Sequence, residues 1–351
     1  MTSKERLNRA FKGLPRDRTP MLGGWLACPA HICRLVGISE EEYWKDPATP
    51  SLEACRKMGM DGLIGVYIPL RQGDYRCVDG NNFKSANMGM GLQETLDAID
   101  AMPEPEQILA DFNEEAEYAI LAASHRQWQE RAGEMLWCPA HWEASARLSW
   151  YAEYGYENFF LVVAGHPERA IKLFEVGGMR AHLRCRLIAR GVREGLIPPA
   201  VLMGEDICSQ QGSMISPAFL EKHYAPHLRF ALQPLLDAGC KPVWHCDGDT
   251  RPLLDMLTDC GVQGFQGFQP ECGMTIETMA ARRDRDGKPL LIFGPLSVTT
   301  ELPCLTPVEI RARVKNAVDV CHGNADLVLF TANTINPDVP FENLLAMCGL
   351  P

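Results

Sequence analysis

The sequence predicts an α/β chain folded as a (β/α)8, or TIM, barrel with an antiparallel hairpin inserted after the second strand. Three observations predict it. Short apolar runs alternate with stretches of helical periodicity along the whole chain. Eight such runs occur, and several end in His, Asp, Glu or Asn. In a barrel of parallel strands the carboxyl ends meet on one face, where such residues do chemistry. Finally, 351 residues with 46% apolar and 23% charged side chains suit one large domain, residues 1–351, with a full core.

The elements follow in order. Residues 2–11 read as a short amphipathic helix, with Ser3 as a cap and Leu7, Ala10 and Phe11 at helical spacing. Residues 20–27 form the first apolar run, and residues 40–44 and 50–58 read as helices. Residues 61–69 are the second strand. Residues 75–90 are polar and rich in Asn and Gly, and Asp79-Gly80 is a hairpin signal. Residues 108–130 read as one long helix. Residues 136–141 are the third strand, ending at His141 and Trp142. Helices are expected over 149–156, 157–163 and 167–191, the last with Pro167 in its first turn. Residues 199–206 are the fourth strand, ending in Glu205 and Asp206, and 217–238 the helix after it.

The fifth strand carries the signal that organises the rest. Val243-Trp244 runs into His245, Cys246, Asp247 and Gly248. On an extended chain His245 and Asp247 share a face and Cys246 points to the other. Residues 252–260 form a helix. Strands six to eight are expected at 262–268, 290–296 and 325–332. Thr306-Pro-Val-Glu309 is a helix start, and a last helix opens at Pro340.

Composition narrows the function. A net charge of −11 argues against nucleic acid, whose phosphates need clustered Lys and Arg. The 14 cysteines form no C-x-x-C pair, which excludes a zinc ribbon or thioredoxin-like motif. Most are expected to be buried apolar filler. The first residues lack the apolar run of an export signal and no long apolar stretch suggests a membrane span, so the expected location is the cytoplasm. No G-x-G-x-x-G follows the first strand, and neither G-x-x-x-x-G-K-[ST] nor G-x-S-x-G occurs.

The strand ends supply the candidate site. Glu205, Asp206, His245 and Asp247 are the candidate catalytic residues. Trp25, His31, His141, Trp142, Glu271 and Asn333 are the candidate substrate-binding residues. Imidazole with carboxylates suits zinc or another borderline divalent ion, with His245, Asp247 and Glu205 as ligands. The alternative use of His245 and Asp247 is a proton donor and its orienter. His223 and His227 share a helix face without the glutamate of a metalloprotease helix and read as structural.

At this point the chain resembles the uroporphyrinogen decarboxylase-like superfamily, especially the branch with the cobalamin-dependent methyltransferases. The resemblance spans nearly the whole chain. It rests on Ser3-Lys-Glu-Arg-Leu-Asn-Arg-Ala-Phe11, Gly204-Glu-Asp-Ile-Cys-Ser-Gln-Gln-Gly212, Ile215-Ser-Pro217, His245-Cys-Asp-Gly-Asp249, Thr306-Pro-Val-Glu309 and Asn336-Pro-Asp-Val-Pro-Phe-Glu-Asn343. The decarboxylases carry an arginine-rich stretch after the first strand. Here that place reads Leu26-Ala-Cys-Pro-Ala-His31, which disfavours porphyrinogen decarboxylation. The thiol-methylating members use His-x-Cys and a later Cys. The matching positions are His245, Asp247 and Asn333, so both thiolates are missing.

The resemblance therefore implies the O-demethylase methyltransferases. In these, zinc draws charge from a methyl ether oxygen and the methyl goes to a Co(I) corrinoid. It implies a zinc site of two glutamates and a histidine; Glu205, Glu221 and His245 fall in that order, with Glu221 also readable as an exposed helix charge. No D-x-H-x-x-G corrinoid motif occurs, so the corrinoid is expected on a separate partner protein. The small-molecule substrate is then a methyl donor such as a methoxylated aromatic. A metal-independent lyase acting on a small carboxylate and a methylcobalamin:thiol methyltransferase are the alternatives. The resemblance leaves room for a homodimer.

Overall fold

The computed structural model describes residues 1–69, 90–267 and 269–350. Eight parallel strands lie in two sheets. The first sheet joins β1 (Leu22–Gly23), β2 (Gly62–Leu63) and β3 (Leu136–Trp137) in that order. The second runs from β4 (Ala200–Gly204) through β5 (Lys241–His245), β6 (Gly264–Gln266) and β7 (Leu291–Leu296) to β8 (Asp326–Thr331). Each strand is followed by helix, as parallel pairing requires, because the chain must cross back before the next strand starts. The residues that regular pairing leaves out shorten the first three strands. Of residues 20–27 only Leu22 and Gly23 pair as strand.

Backbone contacts link the sheets at both seams. Met21 bridges in parallel to Leu329, whose N–H donates to Pro20 O at 2.9 Å. Past the end of β3, His141 N–H donates to Leu202 O of β4 at 2.8 Å. Side chains from both sheets also meet in one buried cluster: Leu22, Leu136, Leu202, Val243, Leu291, Phe293 and Val328. Helix Ser3–Phe11 adds Leu7 and Phe11 to it, with Phe11 and Phe293 ring centroids 5.9 Å apart. Each fully buried Leu or Phe there contributes roughly 1.5–3 kcal/mol over an exposed one. The alternate strand residues face the other way. Met203, Trp244 and Cys246 join a second core under the helices. Val243 and Trp244 thus face opposite sides, as the period of two requires.

Several expectations change for local reasons. The cap of the first helix is Thr2 rather than Ser3, in a reciprocal box with Glu5. The expected helix 108–130 is two helices, Pro105–Asp111 and Glu114–Ala132, because the Asn113 side chain caps the second. The helix expected over 217–238 breaks at Tyr224, since Pro226 has no N–H and restarts a helix as its natural first turn. Residues 29–36, unassigned from sequence, form a helix from Pro29 to the left-handed Gly37. The hairpin expected over 75–90 lies, apart from Met90, outside the described residues. An antiparallel pair does occur after β4, joining Cys208–Ser209 to Gly212–Ser213. Eleven of the thirteen cysteines described are buried and all thirteen are free. Among the described residues no helix is long and apolar enough to cross a membrane.

Candidate metal centre

Strands β4 and β5 set the site. They pair in register with Gly204 opposite His245, and Glu205 N–H donates to His245 O at 3.0 Å. Gly204 sits at φ +143, and a Cβ there would lie 2.1 Å from His245 O. Only glycine brings the two strand ends this close. Gly248, at φ +83, turns the chain immediately after Asp247; its Cβ would lie 2.5 Å from Ser209 O.

His245 is buried, and its ring is fixed from one side. Gln266, at the end of β6, donates its amide to Thr331 O at 2.7 Å and Ala332 O at 2.8 Å. Its Oε1 must then face His245 Nδ1, 2.5 Å away. Nδ1 therefore carries the proton, and the Nε2 lone pair is left to point the other way. There it meets acids. Nε2 lies 3.5 Å from Asp206 Oδ1 and 3.9 Å from Asp247 Oδ1. The three side chains offer ligand atoms all within 4.8 Å of one another.

The acids are themselves positioned. Asp206 Oδ1 accepts the Asp247 N–H at 2.9 Å, and Asn333 Nδ2 donates to Asp247 Oδ2 at 2.7 Å. Asp247 Oδ1 is buried without a hydrogen-bond partner. A lone pair facing two carboxylates, one of them with an orphaned oxygen, is stable only around a positive charge. A divalent cation or a proton on Nε2 supplies it. Burial opposes an imidazolium, but Asp206 and Asp247 outweigh it and hold His245 above the ordinary imidazole value. Burial also raises the Asp247 carboxyl, against the pull of His245. One imidazole with two carboxylates is a donor set that borderline divalent ions accept, so the residues fit a metal.

The centre opens into a cavity of about 770 Å³ lined by His245, Asp206, Glu205 and Asn333 and by aromatic rings. Trp25 and Trp142 set their rings against His245, with centroids 6.0 and 5.5 Å away. Tyr67 and Tyr151 extend the wall. The size lies within the roughly 300–1,000 Å³ usual for small-molecule sites.

The other expected residues separate. Glu205 lines the cavity, but its carboxylate is turned to Ser145 and Ser149. Ser145 Oγ donates to Oε1 at 2.6 Å, Ser149 N–H donates to Oε2 at 3.1 Å, and Ser149 Oγ also binds Oε2. Burial raises the Glu205 carboxyl, and the serines only partly offset it. Asp206, not Glu205, completes the group around His245. Glu221 lies on the helix Pro217–His223, exposed and outside that group. His31 sits in the first turn of the helix Pro29–Val36 rather than at a strand end; its Nε2 meets Val339 O at 2.7 Å. His141 is buried beside Glu143 and Arg184, and Glu271 is held by Thr299 at 2.5 Å; neither lines the cavity. Gln266, Ser145, Ser149 and Arg147 were not anticipated. Only Gln266 left a trace, as one of two glutamines in the run 262–268.

No family model and no curated protein sequence matches the chain. Among solved structures it is similar to a methyltransferase from Methanosarcina mazei, with a TM-score of 0.64 and 15% sequence identity, over 99% of this chain and 98% of that one. At that identity the likeness shows the fold alone. The chain is an α/β protein built on parallel strands and holds a group of side chains able to bind a metal.

Proposed function

We propose that the chain is a metal-dependent methyltransferase on a (β/α)8 barrel. It takes the methyl of a methoxylated aromatic, or a similar small methyl donor, and passes it to the Co(I) corrinoid of a separate partner protein. The observation that carries this reading is the buried, unpartnered Asp247 Oδ1 beside the Nε2 lone pair of His245, a residue that lines an aromatic cavity together with Asp206. The likeness to a methyltransferase over almost the full length supports the choice of chemistry. The contacts at both seams between the sheets support closure of the barrel.

His245, Asp206 and Asp247 would hold the metal. Bound there, zinc supplies a Lewis acid that draws charge from an ether oxygen. The chain does the rest. Gln266 keeps the proton on His245 Nδ1, and Asn333 keeps Asp247 turned inward. Trp25 and Trp142 offer flat apolar faces that orient an aromatic ring over His245 and keep water from it.

A second reading has one observation behind it. The raised His245 value fits a metal-free site in which an imidazolium passes a proton to a small carboxylate substrate. Metal content separates the two. The methyltransferase reading expects about one zinc per purified chain, lost on His245→Ala, and a methylcobalamin spectrum when the protein meets a methoxyaromatic and Co(I) cobalamin. A metal-free protein that decarboxylates a small acid would overturn it.

A further inference from the structure

A second cavity, of about 950 Å³, opens at the amino ends of the strands, away from the metal centre. Lys241 and Asp326, the first residues of β5 and β8, line it. Lys241 stands at the other end of β5 from His245, about 13 Å along an extended strand. The remaining charged lining residues are Lys12, Arg16 and Arg18, which follow helix Ser3–Phe11, and Lys288, shortly before β7. Five cations and one carboxylate therefore meet at one hollow of a chain whose net charge is −11.

The carboxylates nearby do not answer all of these cations. Arg18 is taken: its Nη1 donates to Asp61 Oδ2 at 2.8 Å and its Nη2 to Oδ1 at 2.9 Å, and Asp61 is fully buried. Asp326 is shared, with Arg16 Nη1 3.5 Å from Oδ1 and Lys241 Nζ 3.6 Å from Oδ2, both beyond a normal hydrogen bond. Lys288 has Asp286 at 3.9 Å, and Lys12 makes no ion pair among the described residues. Lys12, Arg16, Lys241 and Lys288 thus face only Asp326 and Asp286. Two positive charges are left over.

These groups are not loose surface charges. The side chains of Arg16 and Lys241 are only 18% and 21% exposed. The loop that carries Lys12, Arg16 and Arg18 is pinned: Arg9 Nε donates to Pro15 O, and Arg16 Nη2 donates to Leu327 O at 3.3 Å. Gly13, at φ +66, brings this loop against Asp326, where a Cβ would lie 2.9 Å from Oδ2. Cations fixed in advance lose little freedom when a ligand arrives. They converge from three separate stretches of chain on a hollow of small-molecule size.

We propose that this cavity binds a compact oligophosphate anion, the chemistry shared by inorganic tripolyphosphate and the phosphate tail of a nucleoside triphosphate. Ammonium groups act on it as point charges, and a guanidinium takes two of its oxygens at once. A hollow suits this short, densely charged ion better than an acidic peptide, whose carboxylates are spread along an extended chain.

Calorimetry on the full chain tests it. Tripolyphosphate and ATP are each titrated into the protein, with hexaglutamate as the rival anion. One tripolyphosphate should bind per chain with a Kd of about 100 μM or tighter, and more weakly as salt rises. Lys12→Glu combined with Lys288→Glu, both at exposed residues, should weaken binding about tenfold or more. Lys45→Glu combined with Lys222→Glu changes the net charge equally at exposed residues outside the cavity, and should leave the affinity within about twofold. ATP bound at least as tightly as tripolyphosphate assigns the site to nucleotides; tripolyphosphate bound with ATP excluded assigns it to the inorganic ion. The proposal is overturned by the absence of saturable binding, by equal weakening in both double variants, or by hexaglutamate binding where tripolyphosphate does not.

Discussion

Gln266 touches neither cavity nor acid, yet it decides which nitrogen of His245 is free. Gln266→Leu removes the acceptor for the Nδ1 proton, so the ring can turn and the Nε2 lone pair is no longer aimed. Zinc affinity should fall about 10- to 100-fold, measured by competition with a chromogenic chelator, while the fold persists. The same residue scale gives a pH dependence. His245 has a folded value above its usual 6.5, so in metal-free protein its contribution to stability is complete below about that pH. It is lost as pH rises through the folded value. Glu205 also has a raised folded value, so stability falls as pH climbs from the ordinary 4.5 through it. Denaturant melts of metal-free wild type should weaken across these windows. His245→Gln should flatten the upper one and Glu205→Gln the lower one. Unchanged slopes would mean that neither group is held as described.

At the scale of elements, β4 and β5 meet closely at their carboxyl ends. Gly204→Ala places a methyl against His245 O at φ +143, and either the strands part or the backbone shifts. A loss of about 3 kcal/mol, read from urea midpoints, is the expected cost, with zinc binding lost as well. Ordinary caps should behave ordinarily. Thr306 Oγ1 accepts from Glu309 N–H, and Thr306 N–H donates to the Glu309 carboxylate in return, at the start of helix Pro307–Cys321. Thr306→Ala should cost about 1 kcal/mol and leave zinc affinity untouched. The contrast separates a site defect from a general loss of stability.

Over the whole molecule, a bound ion should act as a clamp across β4, β5 and the loop after β8. Zinc at about 100 times its Kd should stabilise the fold by about 2.7 kcal/mol, and a chelator should reverse it, both visible as shifts in Tm. How much of this was legible from the sequence depends on what carried the signal. The eight strand positions were, because apolar runs mark buried strands wherever the helices lie. The partnership of His245 and Asp247 was, because alternation along one strand puts them on one side. The choice of Asp206 over Glu205 was not. Both follow Gly204, and two adjacent acids are alike in sequence until their partners are known: Asp206 faces His245, while Glu205 faces Ser145 and Ser149. Gln266 acts through His245, Thr331 and Ala332, all remote in sequence, so its place in the run marks a polar residue but not its role. His31 was misplaced because Pro29 opens a helix where an extended chain was expected.

Among the described residues a single backbone hydrogen bond, from His141 to Leu202, crosses between β3 and β4. Trp142 follows the donor and Glu205 lies three residues past the acceptor, and both line the cavity. The wall beside the acids is therefore stitched at one point while its neighbours are laced along their length. Breathing there would widen the chamber without disturbing His245, giving a bulky ring a way in. Amide exchange at His141 should accordingly outpace that at Val243 and Ile292, deep in the laced strands.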